Sequence, residues 1–187
     1  VEVIGGGLIG TSIALRLAKN GSQVRVVDSN AAHATVANSL IGSSLLAENA
    51  PIECVVVATP VEALAEVIVA ALISNPKCIV IDIGSIKTKV ILDVWTLTES
   101  MSKKVELRER YIPTHPMAGR EVSGPDGARS DLFEGRAWAI TPHSQSKEPT
   151  LNRVEALVRE LGAVVYRMSP EEHDRQVAMT SHLPQLL

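Results

Sequence analysis

The sequence feature that most constrains the fold is the glycine-rich segment Gly5–Gly10 (GGGLIG), close to the start of the chain. The apolar run 1–4 precedes it, and a helical pattern with an apolar residue at every fourth position follows it. A second strand-like segment, 24–27, then closes on Asp28. A strand, glycine loop, helix, second strand and acid in this order are typical of the first unit of a dinucleotide-binding fold.

Each part of this unit has a physical role. Gly5 permits a tight turn, Gly7 lets a pyrophosphate approach the backbone, and Gly10 lets the helix pack closely on the strand. The helix N-terminus offers unpaired N–H groups. Asp28 can accept hydrogen bonds from ribose hydroxyls and would repel a 2′-phosphate, which favours NAD over NADP. The alternatives are a glycine turn that binds nothing and an ordinary acid at a strand end. The residues predicted to contact the cofactor are Gly5, Gly7, Leu8, Ile9, Gly10, Asp28, Thr59 and Pro60.

Further along the chain, strand-like and helix-like segments continue to alternate. The predicted strands are 54–58, 78–83, 111–114, 137–141 and 163–167, and the predicted helices are 31–40, 61–72, 87–98 and 150–161. Ser169 and Pro170 predict the start of one more helix, as its N-cap and first residue. This alternation predicts an α/β fold with a doubly wound, mainly parallel sheet of the Rossmann type. The long segment 116–133 is predicted to be a loop.

Charge and composition exclude several classes of function. The net charge is −3 and no basic block occurs, so a nucleic-acid partner is not expected. Because no apolar run reaches about 18 residues, a membrane span is not expected either. Cys54 and Cys78 begin apolar runs and are interpreted as core residues of a cytoplasmic protein without a disulfide or a metal site. Both chain ends fall inside regular patterns, so we expect the chain to be part of a longer protein.

Two polar residues are predicted at the carboxyl ends of strands, where ligands bind in open α/β sheets. The Ser85 hydroxyl could point into the crevice or cap the next helix. His115 could accept a proton from a substrate hydroxyl near neutral pH, although a lone histidine more often has a structural role.

An ordered series of motifs covers essentially the whole chain. It consists of Asp82–Lys87 (DIGSIK), His115–Gly124 (HPMAGREVSG), Leu132–Gly135 (LFEG), His173-Asp174 and Ser181–Pro184 (SHLP). In this series the sequence resembles the prephenate/arogenate dehydrogenase family. The glycine loop is shared with many unrelated enzymes, whereas the HPMAG and SHLP segments are much more specific.

The resemblance implies a domain organisation and a reaction. Residues 1–168 would form the dinucleotide-binding domain, and residues 169–187 would begin a C-terminal all-helical domain through which such enzymes form homodimers. The family oxidises prephenate, or its amino analogue arogenate, with loss of CO2. The products are 4-hydroxyphenylpyruvate or tyrosine, and the cofactor is reduced.

The resemblance also implies roles for individual residues. His115 matches the catalytic base, and Ser85 matches the residue that orients the substrate hydroxyl and the nicotinamide. Glu121 resembles an acid near the site entrance, or it is a solvated loop residue. His182 either lines the cleft or packs in the interdomain helix. Gln185 stands where many relatives carry a second histidine near the substrate, which leaves the choice between prephenate and arogenate open.

His173 and Asp174 are neighbours in sequence, so they are predicted not to face each other on a helix. Two alternative functions are considered. A β-hydroxyacid dehydrogenase usually places a lysine on the helix after the nucleotide domain, and the segment 171–187 contains none. A non-catalytic NAD-sensing module would keep the fold without the chemistry.

Overall fold

The computed structural model describes residues 1–119 and 124–182, with the backbone alone for residues 180–182. The strands are β1 (Glu2–Ile4), β2 (Arg25–Val27), β3 (Cys54–Val57), β4 (Ile79–Asp82), β5 (Tyr111–Pro116), β6 (Ala137–Ile140) and β7 (Val164–Arg167). The α-helices are α1 (Leu8–Lys19), α2 (Ala31–Ile41), α3 (Val61–Ser74), α4 (Thr88–Thr98), α5 (Lys104–Glu109), α6 (Glu148–Glu160) and α7 (Pro170–His182).

The strands form one sheet in the order β2-β1-β3-β4-β5-β6-β7. All pairs from β2 to β5 are parallel, β5 and β6 are antiparallel, and β6 and β7 are parallel. The predicted doubly wound, mainly parallel sheet is therefore confirmed. Because β1 to β5 run in one direction, the loops that follow these strands all meet at the same edge of the sheet.

Helices cover both faces of the sheet, and the strands are apolar for that reason. In β3, Val55 and Val57 face a core shared with α3 and α4, while Val56 faces a core shared with α1 and α6. All three valines are fully buried, and each such burial stabilises the fold by about 1.5–3 kcal/mol. This is why β3 reads as a continuous apolar run with no alternation.

Helix α5 was not predicted, because it is short and mostly charged. It is held in place by Arg108, which is almost fully buried. The Arg108 guanidinium lies 4.9 Å from the centre of the Trp95 ring and donates hydrogen bonds to the Trp95 carbonyl and the Thr98 hydroxyl. These contacts with α4 replace the apolar stripe that would normally reveal a helix in sequence.

Strand β5 is longer than predicted and includes His115, which was expected just beyond the strand. Its last three residues pair with β6 in the antiparallel direction, with His115 opposite Ala139. The extended backbone that Pro116 imposes on His115 suits this pairing.

The start of α7 is confirmed, since the Ser169 hydroxyl accepts a hydrogen bond of 3.1 Å from the Glu172 amide. Within the described ranges, none of the helices combines the length and apolarity required to cross a membrane.

Candidate active site

The glycine loop lies between the carboxyl ends of β1 and β3. A Cβ atom on Gly5 would lie 2.3 Å from the Ala58 carbonyl oxygen, and Gly5 has a φ of +113°. A Cβ atom on Gly10 would lie 2.0 Å from the Gly5 carbonyl oxygen. At Gly7, by contrast, no heavy atom of the described residues lies within 4 Å of that position. The loop is thus tightly packed on the sheet side and open on the side of Gly7.

A cleft of about 770 Å³ opens beside this loop. Five residues predicted to contact the cofactor line it, namely Gly5, Gly7, Asp28, Thr59 and Pro60. Three others, Leu8, Ile9 and Gly10, form the first turn of α1 and are not among the lining residues. The side chains of Leu8 and Ile9 are buried or packed against the core, which leaves only their backbone groups near the loop.

The polar groups of the cleft fit an adenine dinucleotide. Asp28 is held at the end of β2 by the amides of Gly6 and Asn30, which donate hydrogen bonds of 2.6 and 2.7 Å to its carboxylate. The buried Thr59 hydroxyl has no hydrogen-bond partner among the described residues. No lysine or arginine is present in the described lining of the cleft. An acid without an adjacent cation suits two free ribose hydroxyls better than a 2′-phosphate.

A second polar cluster lies at the carboxyl ends of β4 and β5. Asp82 is fully buried and accepts hydrogen bonds from the Tyr111 hydroxyl (2.9 Å), the Gly84 amide (2.9 Å) and the Lys87 ammonium. Lys87 is also fully buried, and its Nζ donates a bond of 2.6 Å to the Thr114 carbonyl. Burial lowers the pKa of Lys87 and raises that of Tyr111, while the Asp82 carboxylate keeps the pKa of Lys87 from falling further.

Three side chains form a hydrogen-bonded chain beside this cluster. His115 Nδ1 lies 2.9 Å from His173 Nε2, and His173 Nδ1 lies 2.9 Å from Asp174 Oδ1. The two imidazole rings are close to perpendicular, with their centroids 5.1 Å apart. His173 is fully buried, whereas His115 is partly exposed. The hydrogen-bonded chain therefore runs from a partly exposed imidazole on β5 to a carboxylate on α7.

The prediction that His173 and Asp174 do not face each other is wrong. The Asp174 carboxylate accepts hydrogen bonds of 2.8 and 2.9 Å from the amides of Lys87 and Thr88, at the N-terminus of α4. The Lys87 amide and His173 Nδ1 both bond to Asp174 Oδ1. The side chains of His173 and Asp174 therefore meet at the start of α4, although they are neighbours in sequence. The expectation from helix geometry fails because it ignores what packs against the helix.

The environment of His115 keeps its imidazole neutral at physiological pH. Burial is the largest effect, and the electrostatic effects of Lys87 and of the neighbouring His173 act in the same direction. Asp174 opposes them, and together they lower the pKa of His115 from 6.5 to about 4. A neutral imidazole at the end of β5 can accept a hydrogen bond or a proton from a ligand that lies against its exposed side.

Ser85 lies in the loop between β4 and α4 and is exposed. The alternative in which Ser85 caps α4 is wrong, because Asp174 accepts the hydrogen bonds of the first amides of that helix. Glu121 and Gln185 lie outside the described residues. His182 ends α7, but its side chain also lies outside the described part of the chain.

Sequence reasoning missed Lys87, His173 and Asp174 as members of this cluster. All three stand in the motifs DIGSIK and HD, but nothing in the sequence shows that α7 returns to the N-terminus of α4. The available signal was a charged residue, Lys87, directly before an apolar helix, and an acid, Asp174, beside a histidine near the start of another helix.

The family profile and curated relatives that match this sequence point to prephenate dehydrogenases. A sequence profile of the prephenate dehydrogenase nucleotide-binding domain matches residues 13–167. The probable prephenate dehydrogenase NovF of Streptomyces niveus is 30% identical over 184 residues, which are 98% of this chain and 49% of that protein. The chain thus spans about half the length of the curated relatives that it matches.

Solved structures agree with the sequence match. Prephenate dehydrogenase from Aquifex aeolicus in complex with hydroxyphenyl propionate and NAD+ is 27% identical, with a TM-score of 0.84 over 99% of this chain and 65% of that chain. Synechocystis arogenate dehydrogenase is 26% identical, with a TM-score of 0.83 and the same coverage. From the profile match over most of its length, we conclude that this chain belongs to the prephenate dehydrogenase family and corresponds to its nucleotide-binding domain.

Proposed function

We propose that the protein containing this chain oxidises prephenate with NAD, releasing CO2 and 4-hydroxyphenylpyruvate, as a step of tyrosine biosynthesis. The observation that carries this proposal is the neutral, partly exposed imidazole of His115. It lies at the same edge of the parallel sheet as the glycine loop. The Aquifex aeolicus relative, solved with NAD+ and a hydroxyphenyl compound, supports the same pairing of cofactor and substrate.

His115 would act on the hydroxyl of the substrate ring. That ring carbon carries both a hydroxyl and a hydrogen, and NAD, when bound, supplies the acceptor for the hydride. His115 takes the hydroxyl proton as the carbon–hydrogen bond breaks. The carbon–carbon bond to the ring carboxylate then breaks, CO2 leaves and the ring becomes aromatic. The proton returns to the ring oxygen, so no net proton is consumed. A general base at this position contributes about 10²–10⁴-fold to the rate.

The cofactor preference rests on the cleft beside the glycine loop. Asp28 would accept hydrogen bonds from the ribose hydroxyls, and the helix N-terminus at Leu8 would face the pyrophosphate. Thr59 lines the cleft, and its hydroxyl has no hydrogen-bond partner among the described residues. These features support NAD over NADP.

The other predicted site residues keep their proposed roles. Ser85, exposed in the loop after β4, would orient the substrate hydroxyl and the nicotinamide. Glu121, which follows β5 in sequence, and His182 and Gln185, near the end of the chain, would contact the substrate. A bidentate arginine for the substrate carboxylate is expected in the remainder of the protein.

The domain organisation is part of the same proposal. Residues 1–168 would form the nucleotide-binding domain, and residues 169–187 would begin the helical domain. The start of α7 at Pro170 supports a boundary there. The complete protein would be a cytoplasmic homodimer, held together through the helical domain.

The test is an absorbance assay of reduced nicotinamide with the complete protein. Prephenate and arogenate are each supplied with NAD and with NADP. The proposal predicts the fastest turnover with prephenate and NAD. A folded protein that binds NAD but turns over neither substrate would overturn it and favour the NAD-sensing module.

Arogenate is a second candidate substrate, and Gln185 is the reason to test it. Many relatives carry a histidine at that position, near the carboxylate end of the substrate. Similarity to the Synechocystis arogenate dehydrogenase is equally strong. A Gln185→His variant that shifts the ratio of the two turnover rates by about tenfold or more would identify Gln185 as the determinant of this choice.

A further inference from the structure

The hydrogen-bonded chain from His115 to Asp174 has a direction that its chemistry fixes. A carboxylate can only accept hydrogen bonds, so His173 Nδ1 must carry the hydrogen that it shares with Asp174 Oδ1. With His173 neutral, its Nε2 then holds a lone pair. The bond of 2.9 Å to that atom requires a hydrogen on His115 Nδ1. The remaining nitrogen of His115, Nε2, is left as an acceptor.

We propose that His173 and Asp174 form a positioning pair that holds His115 in the tautomer whose Nε2 accepts the substrate proton. This inference rests on the proposed role of His115 as the base. His173 and Asp174 do not touch the substrate; they act through His115. Without them, His115 could rotate or carry its hydrogen on Nε2, and the nitrogen facing the substrate would become a donor.

The pair is anchored at its far end, which gives it the rigidity this role needs. The Asp174 carboxylate is held by the amides of Lys87 and Thr88, so it cannot turn away from His173 without exposing the N-terminus of α4. His173 itself is fully buried, so water does not compete for its ring nitrogens. Both residues stand near the start of α7, which Ser169 caps.

The charges around His115 are arranged so that Asp174 can stabilise the protonated form of this histidine. Lys87, from the loop before α4, faces the site, but its ammonium is paired with Asp82 of β4. Asp174, from α7, is the negative charge that acts on His115. When His115 takes the substrate proton it becomes a cation, and Asp174 stabilises that cation through His173. A carboxylate that orients a catalytic histidine works in this way in other enzymes.

The first test measures the tautomer and needs no turnover. Nitrogen-edited NMR spectra of isotope-labelled histidine distinguish the two neutral tautomers, and they can be recorded on the complete protein without ligands. The proposal predicts hydrogen on Nδ1 of His115 near neutral pH. Hydrogen on Nε2 of His115 would overturn it, including the case in which a doubly protonated His173 donates to His115. The spectrum of His115→Asn assigns the signal.

The second test compares two substitutions of His173 in the complete protein. His173→Leu removes the acceptor for His115 Nδ1, whereas the side-chain oxygen of His173→Gln can still accept that hydrogen. We expect kcat to fall by about 10–10⁴-fold in His173→Leu, between the losses typical of outer-shell partners and of a carboxylate that orients a catalytic histidine, with partial recovery in His173→Gln. The KM for NAD should stay within about twofold, because neither residue lines the cofactor cleft.

The outcomes separate this inference from the proposed function. If His115→Asn abolishes turnover while His173→Leu retains the full kcat, the positioning pair is wrong and the base stands. If His115→Asn retains full turnover, the proposed function itself fails. Thermal melting of each variant checks that it is folded. A variant of His173 that unfolds is replaced by Asp174→Asn, for which the same loss of kcat is expected and an unchanged kcat would contradict the pair.

Discussion

The two halves of the candidate site, the cofactor cleft and the polar cluster around His115, differ in the kind of groups that form them. The cofactor cleft lies beside a glycine loop in which a side chain at Gly5 or Gly10 would collide with a neighbouring backbone carbonyl, while the position of Gly7 is open. The cluster beside β4 and β5 is made of buried charged and polar side chains from three separated segments. The first half depends on the shape of a local turn, and the second depends on how the whole chain folds. The two halves should therefore respond differently to substitution.

The largest effect is expected in the second half, at Lys87. Lys87→Met would leave the Asp82 carboxylate buried without its cation, which typically destabilises a protein by about 3–5 kcal/mol. Chemical denaturation measures the loss in the free energy of unfolding. Lys89→Met is the matched control, because Lys89 lies only two residues further along the chain but is largely exposed. It should change stability by no more than about 0.5 kcal/mol. Equal losses in the two variants would contradict the account of the buried pair.

In the first half, Gly5→Ala should cost about 2–5 kcal/mol through its clash with the Ala58 carbonyl and its positive φ. Nucleotide binding should weaken in parallel, since the loop must move to relieve the clash. Gly21→Ala is the control, because Gly21 also has a positive φ but no described neighbour within 4 Å of its Cβ position. It should cost only about 1–2 kcal/mol. Chemical denaturation measures the stability of both variants, and calorimetry measures their NAD binding. The difference between them separates the collision at Gly5 from the backbone strain that both positions share.

The pH dependence of stability tests the environment of His115. An unfolded chain protonates this residue near pH 6.5, whereas in the folded chain its pKa is about 4. The unfolded state therefore binds the proton first, and stability falls as the pH drops from about 6.5 towards 4, by at most about 3 kcal/mol. Denaturation curves of the parent protein and of His115→Asn isolate this contribution from the carboxylates. If the free energy of unfolding of His115→Asn changes with pH between about 6.5 and 4 as steeply as that of the parent protein, the lowered pKa of His115 is contradicted.

The smallest effect is expected for the charge at the ribose end of the cleft. Asp28→Asn should weaken NAD binding about tenfold and narrow the difference between NAD and NADP, because it removes a negative charge that repels the 2′-phosphate. Titration of the complete protein with both cofactors measures this. Asp126→Asn, a substitution of an acid outside the cleft lining, should leave the ratio of the NAD and NADP affinities unchanged. If Asp28→Asn also leaves this ratio at the parent value, another residue sets the preference for NAD.

The same division explains what could be predicted from sequence. The glycine loop, the run of buried valines in β3 and the capped start of α7 were predictable, because each depends on residues close together in the chain. Helix α5 was not, because Arg108 is held by contacts with α4 that leave no periodic pattern. The link from His115 to Asp174 depends on α7 packing against the start of α4, and no local pattern contains that information. For the same reason the capping role considered for Ser85 is filled by a carboxylate far away in sequence.

The central claim is that His115 performs chemistry and does not merely support the fold or the cofactor. The most direct measurement is turnover of prephenate by His115→Asn in the complete protein, together with its affinity for NAD. His143→Gln is the control, since that histidine is similarly buried but bonds to the Tyr111 carbonyl away from the cleft. The account predicts that turnover falls by about 10²–10⁴-fold in His115→Asn, with NAD affinity nearly unchanged and His143→Gln close to the parent protein. Full turnover in His115→Asn, or a loss explained entirely by weaker NAD binding, would contradict it.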